Sequence, residues 1–428
     1  MHPVAVADPP LRYELLPSLV NQHPGNAAYE YAEVAGRLPP TDAANEDFWS
    51  KEDQQLTADP GAFSASVAAG LVDRVPIAAL DAAARCERAD WENGFREHGL
   101  ETLLPQVNPL RTLADLNAIR TRAAVARGDW AGAQRGLQTG FAMARHVGGR
   151  PSLIQALVAT GMERLVMDRG VEAWLARSAA PNLYWPLSAL PPSFVDLYAV
   201  AEVERAALRY TDQPWVALAL DDQLPPGEWA RVTAAMAQYT SVGTRPLDPI
   251  AERRRLLATL DGRARDQLRS AGRPAADVAA MSVDEAVGRY LLWQSTAAGE
   301  DIYKAWTLPF PQAGGPLERA AAAFPQDVNH PLASALSPWH ARYSLARTDE
   351  QLAALRVIEA LRDYAARHGG RPPSSLGDIA DLPIPPDPVT GRPFDYHADG
   401  ATATLDLPVP PGVGRRSGRR YELTFVTP

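Results

Sequence analysis

The strongest pattern along the chain is a helical one. Between residues 110 and 147 apolar positions recur three or four apart. A first segment ends at Arg127-Gly128-Asp129, and a second carries Trp130, Ala133, Leu137, Phe141 and Ala144, spaced so that all lie on one face of a helix. The short connection makes the two helices antiparallel neighbours. A third helix is predicted after Gly149 and Pro151, with Leu153, Ile154, Leu157, Val158, Gly161, Met162 and Leu165 as its periodic set. Such stripes are expected to be buried by helix-against-helix contact.

Elsewhere the text alternates helical segments with breakers. Residues 26 to about 99 are interrupted by Pro39-Pro40-Thr41-Asp42 and by Ala58-Asp59-Pro60-Gly61; Asp59 is placed to cap a helix whose first turn holds Pro60. After Pro192, helices are predicted over 194–210, 226–239, 249–270, 283–298 and 317–323. A long helix over 338–368 carries Leu352, Leu355, Ile358, Leu361 and Ala365 and stops at Gly369-Gly370, which supply a left-handed cap. Short alternating runs at 401–407 and 421–426 read as strands, joined through a loop at 412–418.

Three resemblances refine this picture. Ala123-Ala124-Val125-Ala126-Arg127-Gly128-Asp129-Trp130-Ala131-Gly132-Ala133, with Leu137 and Ala144, resembles one tetratricopeptide-type hairpin. No second copy follows at a period of about 34 residues, and a solenoid needs roughly three. From Leu361 to Tyr396 a helix ends near a Gly-x-Pro turn and Asp387-Pro388 leads into Phe394 and Tyr396, an order similar to the globular end of the major pseudopilins of type II secretion. Their apolar N-terminal assembly helix and calcium-ligand loop have no counterpart here, so this resemblance implies a small α+β end and an extracytoplasmic habit, not filament assembly. With Leu11-Arg12-Tyr13-Glu14-Leu15-Leu16-Pro17, Pro24-Gly25-Asn26-Ala27-Ala28 and the 181–185 loop, most of the chain resembles a large planctomycete bacterial protein family of uncharacterised function. That resemblance implies a helical body, a short terminal appendix and, often, export; it lends no catalytic residue. The fold class expected is mainly α: an irregular multi-helix, tetratricopeptide-like body with a small C-terminal α+β appendix. By composition the chain divides into an extended N-terminal segment (1–25), an α-helical body (26–337) and a long helix followed by a pseudopilin-like β appendix (338–428).

Length changes the picture by requiring more than one core, since 428 residues exceed the roughly 250–300 over which a single core grows. The best apolar run, 151–165, is interrupted by Gln155, Glu163 and Arg164, so no transmembrane segment is expected. A formal charge of −9 disfavours nucleic acid as a partner. The arginines at 253, 254, 255, 263, 265 and 269 are interleaved with Glu252, Asp261 and Asp266, the pattern of a salt-bridged, solvated face. Ala5-Val6-Ala7 before Asp8-Pro9-Pro10 has the small-x-small form of a signal-peptidase site. It sets the expectation of a periplasmic or envelope address after signal-peptide removal, with a cytoplasmic one as the alternative.

Candidate chemistry is sparse. Cys86 is the single cysteine, so there is no intramolecular disulfide or thiolate cluster; its setting reads as a helix with a buried thiol. The eight histidines show no metal-ligand spacing, and His146 and His368 read as caps at helix C-termini. Neither Gly-x-Ser-x-Gly, Ser-x-x-Lys nor a phosphate loop occurs. Glu202 with Glu204, Asp221-Asp222 and Glu300-Asp301 are too close in sequence to face one cleft. No catalytic, cofactor-binding or metal-binding residue is predicted, and no cofactor. One candidate for binding another protein is the loop holding Asn182, Tyr184 and Trp185, whose aromatic pair either anchors a partner or folds back on the helical core. The expected function is a non-enzymatic helical scaffold or protein-interaction protein of the bacterial cell envelope. The alternatives are an enzyme with a non-local active site in an inter-helix cleft and a secretion or pilus accessory.

Overall fold

The helical hairpin sits at the centre of the first part of the chain. Its helices span Val107–Ala126 and Trp130–Gly148. Gly128 takes φ +69° at the turn, and Asp129 caps the second helix by accepting from the Gly132 N–H at 2.8 Å. Ala133, Leu137, Phe141 and Ala144 are fully buried. The computed structural model describes residues 1–98, 102, 104–149, 152–207, 209, 214–239, 248–322, 338–409 and 418–426. They form a mainly α-helical protein with a small C-terminal antiparallel sheet, in two compact units: residues 1–92, 104–196 and 343–428, and residues 93–103 with 197–342.

In the first unit the hairpin is followed by the helix Leu153–Leu165, which runs through a π-helical turn, Val166–Val171, into Glu172–Leu175. The helices Ala27–Ala35, Glu46–Thr57, Ala65–Val72 and Ile77–Ala83 precede it. Ser64, not Asp59, caps Ala65–Val72. Pro60 and Gly61 instead make a tight turn closed on the Asp59 carbonyl, which accepts from the Ala62 and Phe63 N–H groups at 3.0 and 3.1 Å, a use to which Pro and Gly are suited. Two short parallel strands, β1 (His23–Asn26) and β2 (Cys86–Arg88), pair His23 with Cys86. Cys86 is therefore in a strand rather than a helix: the preceding helix ends at Ala83, and the Cys86 carbonyl is held by His146.

The long helix Pro338–Arg367 belongs to this unit from Tyr343 onward. Gly369 and Gly370, at φ +65° and +84°, end it, and the Gly370 N–H closes on the Ala365 carbonyl at 2.8 Å. Strands β3 (Asp395–Asp399), β4 (Thr402–Leu407) and β5 (Arg419–Thr424) follow in the antiparallel order β3-β4-β5. The short, polar β3 carries no strand pattern of its own and is recruited by pairing with β4. The predicted 412–418 loop lies outside the described residues except for Gly418. Ala403, Leu405, Leu407 and Leu423 from the sheet join Leu355, Ile358 and Leu361 from the long helix and Leu137 and Trp174 in one core. N-terminal residues lie against these elements: the Val4 N–H donates to the Arg362 carbonyl at 3.2 Å and the Val426 N–H to the Met1 carbonyl at 3.1 Å.

The second unit is built from helices alone among its described residues: Phe95–His98, Leu197–Ala207, Pro214–Leu220, Trp229–Tyr239, Pro249–Ser270, Ala275–Ala280, Val283–Trp306 and Phe310–Ala322. Leu256, Leu260, Ala264, Val278, Val287 and Leu291 form its main core. The helix expected over 283–298 continues to Trp306 because Ile302, Ala305 and Trp306 are themselves buried. The arginine-rich helix is salt-bridged: Arg255 meets Glu252 at 2.8 Å, Arg265 Asp261 at 2.8 Å and Arg269 Asp266 at 2.7 Å, while Arg253 reaches Asp284 at 2.7 Å. Among the described residues no helix is long and apolar enough to cross a membrane.

Candidate interaction surface

The loop nominated from sequence does not form a docking surface. Asn182 and Tyr184 are each only 1% exposed, and Trp185 is half-buried. The Asn182 amide donates to the Val4 and Glu359 carbonyls at 3.0 and 2.9 Å, and its oxygen accepts from the Tyr184 N–H at 2.9 Å. The Tyr184 hydroxyl donates to the Pro383 carbonyl, and its ring meets that of Trp185 edge to face at 5.1 Å. Beneath them Arg362 and Glu359, both 0% exposed, pair at 2.8 Å. Arg362 also donates to the carbonyls of Ala180 (2.9 Å) and His2 (3.1 Å), and Glu359 accepts from the Leu183 N–H at 2.8 Å. The partner-binding expectation for Asn182, Tyr184 and Trp185 is thus corrected. Buried backbone groups need partners, and these side chains supply them, folding the aromatics back onto the core.

An exposed apolar face lies instead on the helix Leu153–Leu165. Its inward face is Gln155, Ala156, Ala159, Thr160, Met162 and Glu163, all buried. Outward stand Ile154, 61% exposed, Leu157, 38% exposed, and the exposed Gly161, flanked by half-buried Val158 and Leu165. Of the stripe expected to be buried, Met162 faces in, Leu153, Val158 and Leu165 are half-buried, and Ile154, Leu157 and Gly161 face out. The cause is the closeness of the preceding helix: a Cβ placed on Gly148 would lie 3.3 Å from the Ala159 Cβ and 2.5 Å from the Phe194 carbonyl oxygen. The small Ala156 and Ala159 lie on the buried face beside that seam. Thr160 returns its hydroxyl to the Ala156 carbonyl at 2.8 Å, and Gln155 completes a capping box with Ser152. Burial, and then nearby Asp349, raise the Glu163 carboxyl well above the ordinary range.

The remaining titratable groups are structural or dispersed. His146 is buried, with Nδ1 on the Tyr31 hydroxyl at 2.9 Å and Nε2 on the Cys86 carbonyl at 3.0 Å. Burial, and then Arg145, push it down to about 4. It is neutral, so it ties β2 to the hairpin and is not the charged cap expected from its position. His368 does sit at a helix end, with Nδ1 2.7 Å from the Tyr364 carbonyl. Burial raises the Cys86 thiol, the opposite of what a nucleophile needs. Asp221 pairs with Arg209 at 2.7 Å and Asp222 with Arg273 and Arg289. On facing helices, burial raises Glu52 to about 7 and Asp115 to about 6, with Asp115 adding to the effect on Glu52. Among the described residues no group of three or more His, Cys, Asp or Glu side chains could hold a metal ion. A cavity of about 320 Å³ beside β3 is lined by Asp387, Thr390, Arg392, Pro393, Asp395 and Pro408, but Asp387 is already engaged by the Val389 N–H at 2.7 Å and the Thr390 hydroxyl at 2.8 Å.

The raised carboxyls make stability depend on pH, and a further one, Glu350, gives a direct test. Glu350 on the long helix is fully buried, and burial raises its carboxyl from 4.5 to about 7 against the opposing pull of Arg347. The folded state then holds a proton that the unfolded chain has released above about pH 5. Its contribution is complete below the unfolded value and lost as pH rises through about 7. At about 1.4 kcal/mol per unit this is roughly 3 kcal/mol, or about 6–10 °C in a unit of this size. Thermal melts between pH 5 and pH 8 should show that fall, and Glu350→Gln should make it shallower by that amount, leaving the part due to Glu52 and Asp115; equal slopes in the two proteins would refute the assignment.

Compared with known proteins, the chain matches no family model, no curated protein and no solved structure.

Proposed function

We propose that the protein is a non-enzymatic helical scaffold of the bacterial cell envelope that docks a protein on the outward face of the helix Leu153–Leu165. The observation that carries the reading is the reversal of that helix, with Ile154 and Leu157 exposed while Gln155 and Glu163 are buried. Leaving aliphatic side chains in water forgoes about 25 cal/mol for each Å² that a partner would cover. Anchors at i, i+3, i+4 and i+7 are the spacing by which one helix is read by another protein. The tetratricopeptide-like hairpin is the rigid support beneath it, and the envelope address rests on Ala5-Val6-Ala7 and on the pseudopilin and planctomycete resemblances. The enzyme reading has in its favour the raised carboxyls of Glu52, Asp115, Glu163 and Glu350, and none of them lines the 320 Å³ cavity.

The test is a photo-crosslinking residue at position 154 in the native bacterium. A discrete protein adduct in the envelope fraction is expected, abolished by Leu157→Glu with the thermal melt of the purified chain unchanged. No adduct from positions 154, 157 and 158 would contradict the docking face, and an adduct confined to the cytoplasm would contradict the address.

A further inference from the structure

The amino-terminal arm lies in a groove that holds it as an extended peptide. The Met1 nitrogen donates to the Thr424 carbonyl, and the Val426 N–H donates to the Met1 carbonyl at 3.1 Å, so the arm pairs with the end of β5. Further along, Arg362 Nε donates to the His2 carbonyl at 3.1 Å, the Val4 N–H donates to the Arg362 carbonyl at 3.2 Å, and the Asn182 amide donates to the Val4 carbonyl at 3.0 Å. Val6 forms a parallel bridge with Asn182, and its N–H donates to Asp363 Oδ1 at 2.8 Å. Arg362, Asn182 and Asp363 are each 2% exposed or less. All of these bonds go to the main chain of the arm, so they recognise an extended backbone rather than particular side chains. Met1 and Val6 add two apolar seats on the core.

We infer that this groove is a binding site for an extended segment of another protein, vacated when the chain is cut after Ala7. The inference rests on the envelope reading above, in which Ala5-Val6-Ala7 precedes a signal-peptidase cut. The bond to be cut stands at the mouth of the groove: Val6 and Ala7 are half-buried, whereas Asp8, Pro9 and Pro10 are exposed. Hydrolysis of the Ala7–Asp8 peptide bond consumes one water and leaves a carboxyl on Ala7 and an amine on Asp8, and the arm departs with the leader. What remains is an unpaired edge at Thr424 and Val426, which invites another strand, with Arg362 Nε, the Asn182 amide and Asp363 Oδ1 turned toward a missing backbone. Water can meet those polar groups but cannot cover the apolar seats of Met1 and Val6. A polypeptide satisfies both, because its donors and acceptors recur at the spacing the groove reads.

The experiment gives the full chain a specific protease site between Ala7 and Asp8, cuts it after folding, and uses as probe a peptide of residues 1–7 with a fluorophore at its carboxyl end. Titrated from about 1 to about 100 µM, the peptide should bind saturably, and N-methylation at Val4 should weaken it about ten-fold, the loss of one hydrogen bond to a buried acceptor. Should the cut chain lose its helical circular dichroism signal, the peptide should restore it. A peptide that neither binds nor restores overturns the inference, as does one that N-methylation leaves unaffected. In an envelope extract, a photo-crosslinker at the exposed Thr424 of the cut chain should label one protein, and excess peptide should suppress the label; no label, or a label the peptide leaves unchanged, also overturns it. The chain purified from the native bacterium should begin at Asp8. If it keeps residues 1–7, the cut and the inference fail together; if it begins at Asp8 and the peptide does not bind, the inference alone falls and the envelope reading stands.

Discussion

Replacing Arg362 with methionine should cost about 3–5 kcal/mol of stability, the range for removing one partner of a buried ion pair. The guanidinium has no exposure to water and divides its donors among the Glu359 carboxylate and the carbonyls of His2 and Ala180. Methionine fills much of the volume but leaves those two carbonyls unpaired and Glu359 without its cation. Lysine should not rescue, because a point-like ammonium cannot serve three directions at once. The Glu359→Leu/Arg362→Met pair should recover part of the loss, since the stranded charge is then absent. Urea unfolding of the four proteins checks this, and an Arg362→Met chain within 1 kcal/mol of the parent would show that the node carries little.

Gly148→Ala should be the most damaging of the small changes in the hairpin, at about 1–3 kcal/mol or more. The added methyl would stand 2.5 Å from the Phe194 carbonyl oxygen. That oxygen is main chain, and its residue is fixed by ring stacking on Phe141 at a centroid distance of 5.7 Å, so it has no rotamer through which to yield. Gly161→Ala is the control in the same protein. With open space around it, the protein should gain up to about 1 kcal/mol in helix propensity. Denaturant midpoints of the two variants should move in opposite directions; equal midpoints would mean that the Gly148 seam relaxes freely.

How far the residues foretold this structure depends on the kind of information involved. Local signals translate well. The Gly128-Asp129 turn, the helix at Pro249–Ser270 and the glycine stop after Arg367 follow from periodicity, capping and backbone conformation. Direction does not translate. The period of Leu153, Ile154, Leu157, Val158, Gly161, Met162 and Leu165 fixes that a helix is there, but which of these positions point in is set by the approach of Gly148 to Ala159. The legible clue was the opposite face, whose Ala156 and Ala159 are small enough for close helix contact. Asn182 was legible as unusual but not as structural, because its partners Val4 and Glu359 lie 178 and 177 residues away. The sequence around Cys86 reads as helical because its strand exists only through pairing with His23.

The meeting of Met1 with Val426 has a consequence for biosynthesis. The first unit takes its core from residues far apart in the chain, and the long helix and β5 leave the ribosome well after residues 1–196. Residues 197–342 enclose apolar clusters of their own and can condense while translation is still under way. The amino-terminal portion completes its core only later. At about 5–20 residues per second it waits on the order of ten seconds or more for the long helix and the sheet, which makes the nascent polypeptide a client for holding chaperones.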